Sequence, residues 1–340
     1  MANINPYPKL NNPQPNTWRS KGTNLDTLVQ LRTDTDSQVV TKGKKQVTRL
    51  NKSYQKKAKS KSISNAITYK LVDVKGSKLT KYYWNAFHCN AALEQSGKRL
   101  IGTYCNTRHC LVCNRIRAAK AINGYTTPLA NIGKTSFVTL TVKAVKAEDV
   151  KSTIEQMTST FRKVLKNLKN TYGITLKGIR KVESNYNPKS DTFNPHFHLI
   201  TNGKPCEILL LRTLWLNSFP GDVANIKAQD VRQTDEDSVN ELFKYFTKVL
   251  IDGKLYPKAA DVIFTAMKGK RTIQPFGGIK KVTEDVEDIQ AEDIDFKPNQ
   301  NILWQWNDDY YDWISEDGEV LSGYIPSKET IELIKNINDT

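Results

Sequence analysis

The chain lacks any long apolar run. Its longest candidates, 208–211 and 213–216, are interrupted by Arg212 and Asn217, whereas a membrane-spanning helix needs roughly 20 apolar residues. No membrane partner is therefore expected. The amino terminus lacks the apolar stretch of a secretory signal, so the expected compartment is cytoplasmic. Histidine is scarce, with four residues in 340, and two of them share one tripeptide. Cysteine is scarce too, yet four of the five fall between Cys89 and Cys113. In a reducing compartment that clustering argues against a disulfide framework and for a metal. Internal repeats are absent, and acids are missing from 41–62, which carries nine Lys or Arg.

Positive charge is what the chain has in excess. Lys and Arg number 51 against 35 Asp and Glu, a net charge of +16. The excess is uneven, because 282–319 holds thirteen acids and a single base, Lys297. The rest of the chain is more basic than its total, and a polyanion is the expected partner. A basic solvated surface is the plainer alternative.

The length suits one sizeable core with accessory units. Residues 1–65, turn-rich and then basic, read as a disordered arm that attracts phosphate. Residues 66–125 read as a cysteine-rich zinc-binding module. It opens on a hairpin over 66–87, where β-formers flank Lys-Gly-Ser-Lys, and closes on a basic helix at 115–125. Residues 126–280 hold a buried strand at 137–142 and an amphipathic helix from Ile154 to Tyr172 with apolar residues at three- and four-residue steps. Strands at 178–184 and 195–201 follow, then an apolar helix at 206–219, a strand at 223–231 and a helix at 238–251. Residues 281–340 read as an acidic linker and an aromatic segment forming a small hairpin. The order predicts an α+β fold, a central antiparallel sheet with flanking helices plus a small zinc-binding module.

The spacing Cys110-Leu-Val-Cys113 lets two thiolates of one turn reach a single ion, and Cys89 and Cys105 can close a tetrahedron. Four thiolates favour Zn2+ in a closed, structural site. His88 and His109 adjoin these residues and are alternative ligands; free buried cysteines are the bland alternative. Cys206, within an apolar run, reads as core. Arg108, Arg115, Arg117 and Lys120 would turn cations toward phosphates.

In Asn194-Pro-His-Phe-His-Leu-Ile, alternate strand residues share a face. His196 and His198 therefore project together while Phe197 and Leu199 enter the core. Glu183, on the preceding strand, can supply a third ligand. Two imidazoles and a carboxylate suit a divalent ion that polarises a phosphate, although exposed strand histidines and a solvated carboxylate are ordinary features. Glu241, Tyr245 and Lys248 form one polar stripe of a helix, opposite Phe243, Phe246 and Leu250. A tyrosine hydroxylate can displace the alkoxide of a phosphodiester and hold the phosphoryl group covalently. The competing reading packs Tyr245 half-buried, leaves Lys248 solvated and gives Glu241 to a capping box with Ser238.

Taken in order, the Phe-Val-Thr-Leu-Thr-Val strand, Glu183, Asn194-Pro-His-Phe-His and Glu241-x-x-Lys-Tyr245-x-x-Lys248 resemble the three motifs of HUH endonucleases that initiate rolling-circle plasmid replication. Tyr104-Cys-Asn-Thr-Arg-His-Cys-Leu-Val-Cys is similar to the cysteine segment of the same group. The likeness spans roughly residues 85–250. It implies Mg2+ or Mn2+ on His196 and His198, and Tyr245 as nucleophile. It further implies an enzyme that binds a duplex origin, nicks a single-stranded site and leaves a 3′-OH primer, with host helicase and polymerase as partners and a dimer left open. Two departures stand out: Asn194 occupies a position where many relatives carry histidine, and no second tyrosine lies one turn from Tyr245. A relaxase or single-strand transposase of the same superfamily is one alternative, and a non-catalytic zinc-containing DNA-binding regulator another.

Overall fold

Residues 47–96, 99–243, 250–282 and 301–339 are described in the computed structural model. Helix α1, Val47–Val72, is followed after a turn by α2, Thr80–Phe87. Two expectations are corrected here: residues 47–65 are helical rather than a disordered arm, and residues 66–87 form no hairpin. The pairs Tyr54 and Ala58, and then Ile63, Ile67 and Leu71, repeat every fourth residue and are buried. The β preference of residues such as Ile67 spans only ~1 kcal/mol, whereas burying a large aliphatic side chain contributes ~1.5–3 kcal/mol. Burial therefore decides for helix. Residues 1–46 lie outside the described residues.

A short antiparallel pair comes next, β1 at Ala92–Ser96 and β2 at Arg99–Gly102, followed by the long helix α3, Leu111–Ala130. Strand β3, Thr135–Thr141, leads into α4, Val150–Tyr172, whose buried residues Ile154, Met157, Phe161, Val164 and Leu168 follow the helical period. This helix stops at Gly173, whose φ of 68° is the left-handed conformation that glycine adopts without strain. Strands β4, Gly178–Asn187, and β5, Thr192–Asn202, are longer than the sequence suggests and leave only a tight turn between them. Helix α5 is Pro205–Asn217, and β6, Asp230–Gln233, is shorter and later than the expected strand at 223–231.

The next helix, α6, is Glu236–Phe243. Residues 244–249 lie outside the described residues. Leu250–Ile251, expected to end a helix, is instead β7, paired with β8 at Lys254–Leu255. Helix α7, Pro257–Met267, and strand β9, Ile273–Phe276, complete this part. The aromatic carboxy-terminal segment does form a hairpin, β10 at Asn301–Asn307 with β11 at Asp312–Ser315, before α8 at Lys328–Asn338.

The protein is α+β, with antiparallel sheets flanked by helices. The central sheet has the order β6-β3-β5-β4-β9, every neighbouring pair antiparallel. One face buries Val138, Leu140, Val182, Phe197 and Leu199 against α4, α5 and α7. The other buries Phe137, Ile179 and Ile200 against Ala121 and Leu129 of α3 and Leu242 and Phe243 of α6. A second sheet, β11-β10-β1-β2, joins the carboxy-terminal hairpin to the cysteine segment, with Leu93 opposite Trp304. Cys206 is exposed rather than core. It sits in the first turn of α5, whose buried stripe is Ile208, Leu211 and Trp215. Among the described residues, no helix is long and apolar enough to cross a membrane.

Candidate active site

Strand β5 runs between β3 and β4, and its register builds the site. His196 lies opposite Glu183 on one side and Thr141 on the other; His198 lies opposite Lys181 and Thr139. Because pleated strands alternate, these side chains share the face that carries α3 and α6. His196 Nδ1 is 2.9 Å from the carbonyl oxygen of Asn194, which only accepts, so that nitrogen carries the proton. His198 Nδ1 is 3.1 Å from the Thr139 hydroxyl. Both Nε2 atoms are thereby turned inward, each 3.4 Å from Glu183 Oε2. Both histidines are buried, and the three ligand atoms lie within 4.8 Å of one another. Two imidazole nitrogens and one carboxylate oxygen, oriented by these outer partners, fit a divalent cation.

Two cations and a second acid surround this group. Lys181 Nζ lies 2.5 Å from Glu183 Oε1 and donates to the backbone oxygen of Glu241 at 3.0 Å, so it neutralises the carboxylate and ties β4 to α6. Glu241 Oε1 is 3.8 Å from His198 Nε2, and Glu241 Oε2 is 3.1 Å from Arg232 Nη2 on edge strand β6. The Arg232 guanidinium also lies 4.6 Å from the Phe137 ring centroid. Ser238 caps with another residue than Glu241. Its backbone N–H donates to Asp235 Oδ1 at 2.7 Å, and Asp235 N–H donates to Ser238 Oγ at 3.4 Å. The Ser238 hydrogen bonds hold the Asp235 carboxyl below the usual carboxylate range. Asp235 is thus the cap of α6, and Glu241 is left to face the histidines. Tyr245 and Lys248 lie outside the described residues.

Sequence reasoning missed Lys181 and Arg232. Lys181 was readable, since it stands two residues before Glu183 and so on the same strand face. Arg232 left no such signal, because only sheet pairing brings β6 beside β3. Asn194 accepts a 2.8 Å hydrogen bond from Thr141 Oγ1.

The second cluster lies at the amino-terminal end of α3. Cys89 follows α2, Cys105 follows β2, Cys110 precedes α3 and Cys113 is in its first turn. Their sulfurs lie within 4.8 Å of one another. Cys113 Sγ is 3.6 Å from Cys89 Sγ and 3.7 Å from Cys105 Sγ. Ligands about 2.3 Å from a tetrahedral zinc stand about 3.8 Å apart along each edge, so the thiols already have the spacing a metal requires. Donation from the neighbouring thiols holds Cys89 far below the ordinary thiol value and Cys105 at about 7, while Cys110 and Cys113 are pushed up. His88 and His109 fall outside this group. The His88 ring stacks on Trp84, and His109 packs edge-on against Tyr83 with its pKa lowered to about 4 by burial. Arg117 donates to Thr107 O at 3.0 Å and Asn114 Oδ1 at 2.7 Å, fastening the cysteine loop to α3.

Residues 98–204 match the family model described as replication protein. This segment is similar to that family. The matched segment contains Cys105, Cys110, Cys113, Glu183, His196 and His198, while Cys89 and Glu241 fall outside it. The chain is 29% identical over 160 residues to "Protein rep" of Staphylococcus aureus, an alignment covering 42% of this chain and 69% of that protein. It is 30% identical over 121 residues to "Protein rep" of Streptococcus pneumoniae serotype 2 (strain D39 / NCTC 7466), covering 32% of this chain and 35% of that one. No solved structure matches the chain at a significant level.

Proposed function

We propose that this protein initiates rolling-circle replication of a plasmid in the cytoplasm, nicking and rejoining one DNA strand at the origin through a 5′-phosphotyrosine. The observation that carries the reading is the group of Glu183 and the buried His196 and His198, with Glu241 beside it. A divalent ion, Mg2+ or Mn2+, would supply there the positive charge that polarises the scissile phosphate. Tyr245, four residues after Glu241, is the nucleophile. Its oxygen forms a bond to phosphorus, the bond from phosphorus to the 3′ oxygen breaks, and that oxygen takes a proton to become the primer. Lys248, three residues further along the sequence, offsets the charge of the ionised tyrosine.

Glu241 serves the closing step. It removes a proton from water, whose oxygen bonds to phosphorus at the regenerated nick site as the bond from that phosphorus to its 3′ oxygen breaks. The freed 3′-OH then attacks the phosphotyrosine, and the Tyr245 oxygen leaves and is protonated, which rejoins the strand and releases the enzyme without a second tyrosine. Arg232 and Lys181 hold Glu241 in place, one at its carboxylate and one at its backbone. Cys89, Cys105, Cys110 and Cys113 would hold Zn2+ and so fix the start of α3, whose far half packs on α6 through Leu129, Leu242 and Phe243. Binding to duplex DNA comes from the basic surface, and helicase and polymerase are supplied by the host.

The reading is tested with supercoiled DNA of the replicon that encodes the chain. Relaxed circles should appear with Mg2+ or Mn2+ and disappear in excess EDTA. Binding without nicking in either condition would leave a zinc-containing DNA-binding regulator instead.

A further inference from the structure

Lysine suits a protein interior poorly, because its ammonium loses hydration that apolar surroundings do not replace. Lys61, in the middle of α1, is nevertheless 1% exposed. Its Nζ donates to the carbonyl of Phe87, two residues before Cys89, and lies 5.6 Å from the Phe87 ring centroid. Burial lowers its pKa, and the groups that oppose the shift are Cys89, Asp308, Cys110 and Cys105. Three of those four are members of the sulfur cluster.

The same stretch of α1 touches the cysteine segment at two further points. Lys57, one turn earlier, donates to the Tyr104 hydroxyl at 3.2 Å, and Ser64 Oγ accepts from Leu111 N–H at 3.4 Å. Tyr104 immediately precedes Cys105 and Leu111 immediately follows Cys110. Lys61 is therefore the centre of a docking face, and its ammonium is a charge held inside that face rather than at its rim.

We propose that Lys61 is the buried counter-cation of a metal centre formed by Cys89, Cys105, Cys110 and Cys113, and that its charge sets how tightly the metal is held. The inference rests on the four-thiolate reading of that cluster. Four thiolates around a dication leave a double negative charge inside the protein, which is costly to bury unpaired. One ammonium held beside them offsets half of it. The same contact makes α1, far from the cysteines in sequence, an outer support of the centre.

The test uses the full-length protein as wild type, Lys61→Met and Lys61→Gln. Zinc affinity is read by competition with a chromophoric chelator, and Tm is read with zinc and after zinc is stripped. Both variants should hold zinc about tenfold or more weakly than wild type, and the fall in Tm should be larger with zinc than without. The glutamine variant keeps an N–H for the Phe87 carbonyl and so separates charge from hydrogen bonding; if the methionine variant does not fold, it decides alone. Wild-type zinc affinity in the glutamine variant, an equal fall in Tm in both states, or failure of that variant to fold with or without zinc assigns Lys61 to packing and overturns the proposal. Wild-type protein that takes up no zinc would instead remove the four-thiolate reading itself, a failure visible before any variant is compared.

Discussion

Glu241 Oε1 lies 3.8 Å from His198 Nε2, although one residue is on helix α6 and the other on strand β5. The approach follows from how α6 begins. Asp235 and Ser238 satisfy each other at the helix start, and Lys181 grips the Glu241 carbonyl from the sheet below. A glutamate that a sequence reading could assign to a helix cap is thereby released toward the histidines.

Glu241→Gln keeps the shape of the side chain and removes its basicity. The first nick and its covalent adduct should form as in wild type, while release in the closing step should slow by ~100-fold or more, the usual worth of a general base. A time course separating adduct formation from product release checks this. Equal rates for both steps would return Glu241 to a supporting role and make a second protomer's tyrosine the better agent of closure.

Lys181→Met removes the buried cation beside Glu183, whose two side chains are 5% and 15% exposed. Breaking such a pair from one side costs ~3–5 kcal/mol. Added Mn2+ replaces the missing charge, so it should raise the Tm of the variant by more than that of wild type. Thermal melts with and without Mn2+ read the difference directly.

His196→Ala combined with His198→Ala should abolish nicking and leave binding to duplex DNA essentially unchanged, because affinity comes from Lys and Arg elsewhere. Gel-shift and relaxation assays on the same preparation separate the two effects. Nicking that survives the double substitution would remove the histidines from the chemistry.

Chelation should lower Tm, because binding energy at a structural metal site is also folding energy. Cys110→Ser should purify with less zinc and gain less from added zinc than wild type. Metal content by mass spectrometry alongside thermal melts checks both statements.

The Asp235 cap carries a pH dependence of known sign. Its carboxyl titrates lower in the folded protein than in the unfolded one, so its charged form adds stability that is complete above the ordinary aspartate value of about 3.9 and is lost as pH falls through the lower folded value. Asn also caps helices. Wild type should therefore exceed Asp235→Asn in urea stability near neutrality, and the gap should close in acid.

Much of the site can be read along the chain because local periods encode it. Alternation places His196 and His198 on one face, the three- and four-residue steps from Ile154 mark α4, and Cys110-x-x-Cys113 marks a shared ligand turn. What escapes is set by contacts between distant segments. Ile67 favours strand by type, yet it is helical because α1 is buried against Leu255, Phe264 and Ile337. Strand β10 pairs with β1 across most of the chain, and β6 comes to lie beside β3 only through sheet pairing. None of these leaves a local pattern.

The central claim is a covalent bond between DNA and one particular oxygen. Protein incubated with Mn2+ and a single-stranded oligonucleotide spanning the nick site should be denatured, digested and examined by mass spectrometry. One peptide containing Tyr245 is expected to carry the 5′-phosphate of the cleaved strand, and Tyr245→Phe, folded as wild type, should yield no adduct. A phosphorylated peptide elsewhere, or an adduct undiminished in Tyr245→Phe, would contradict it.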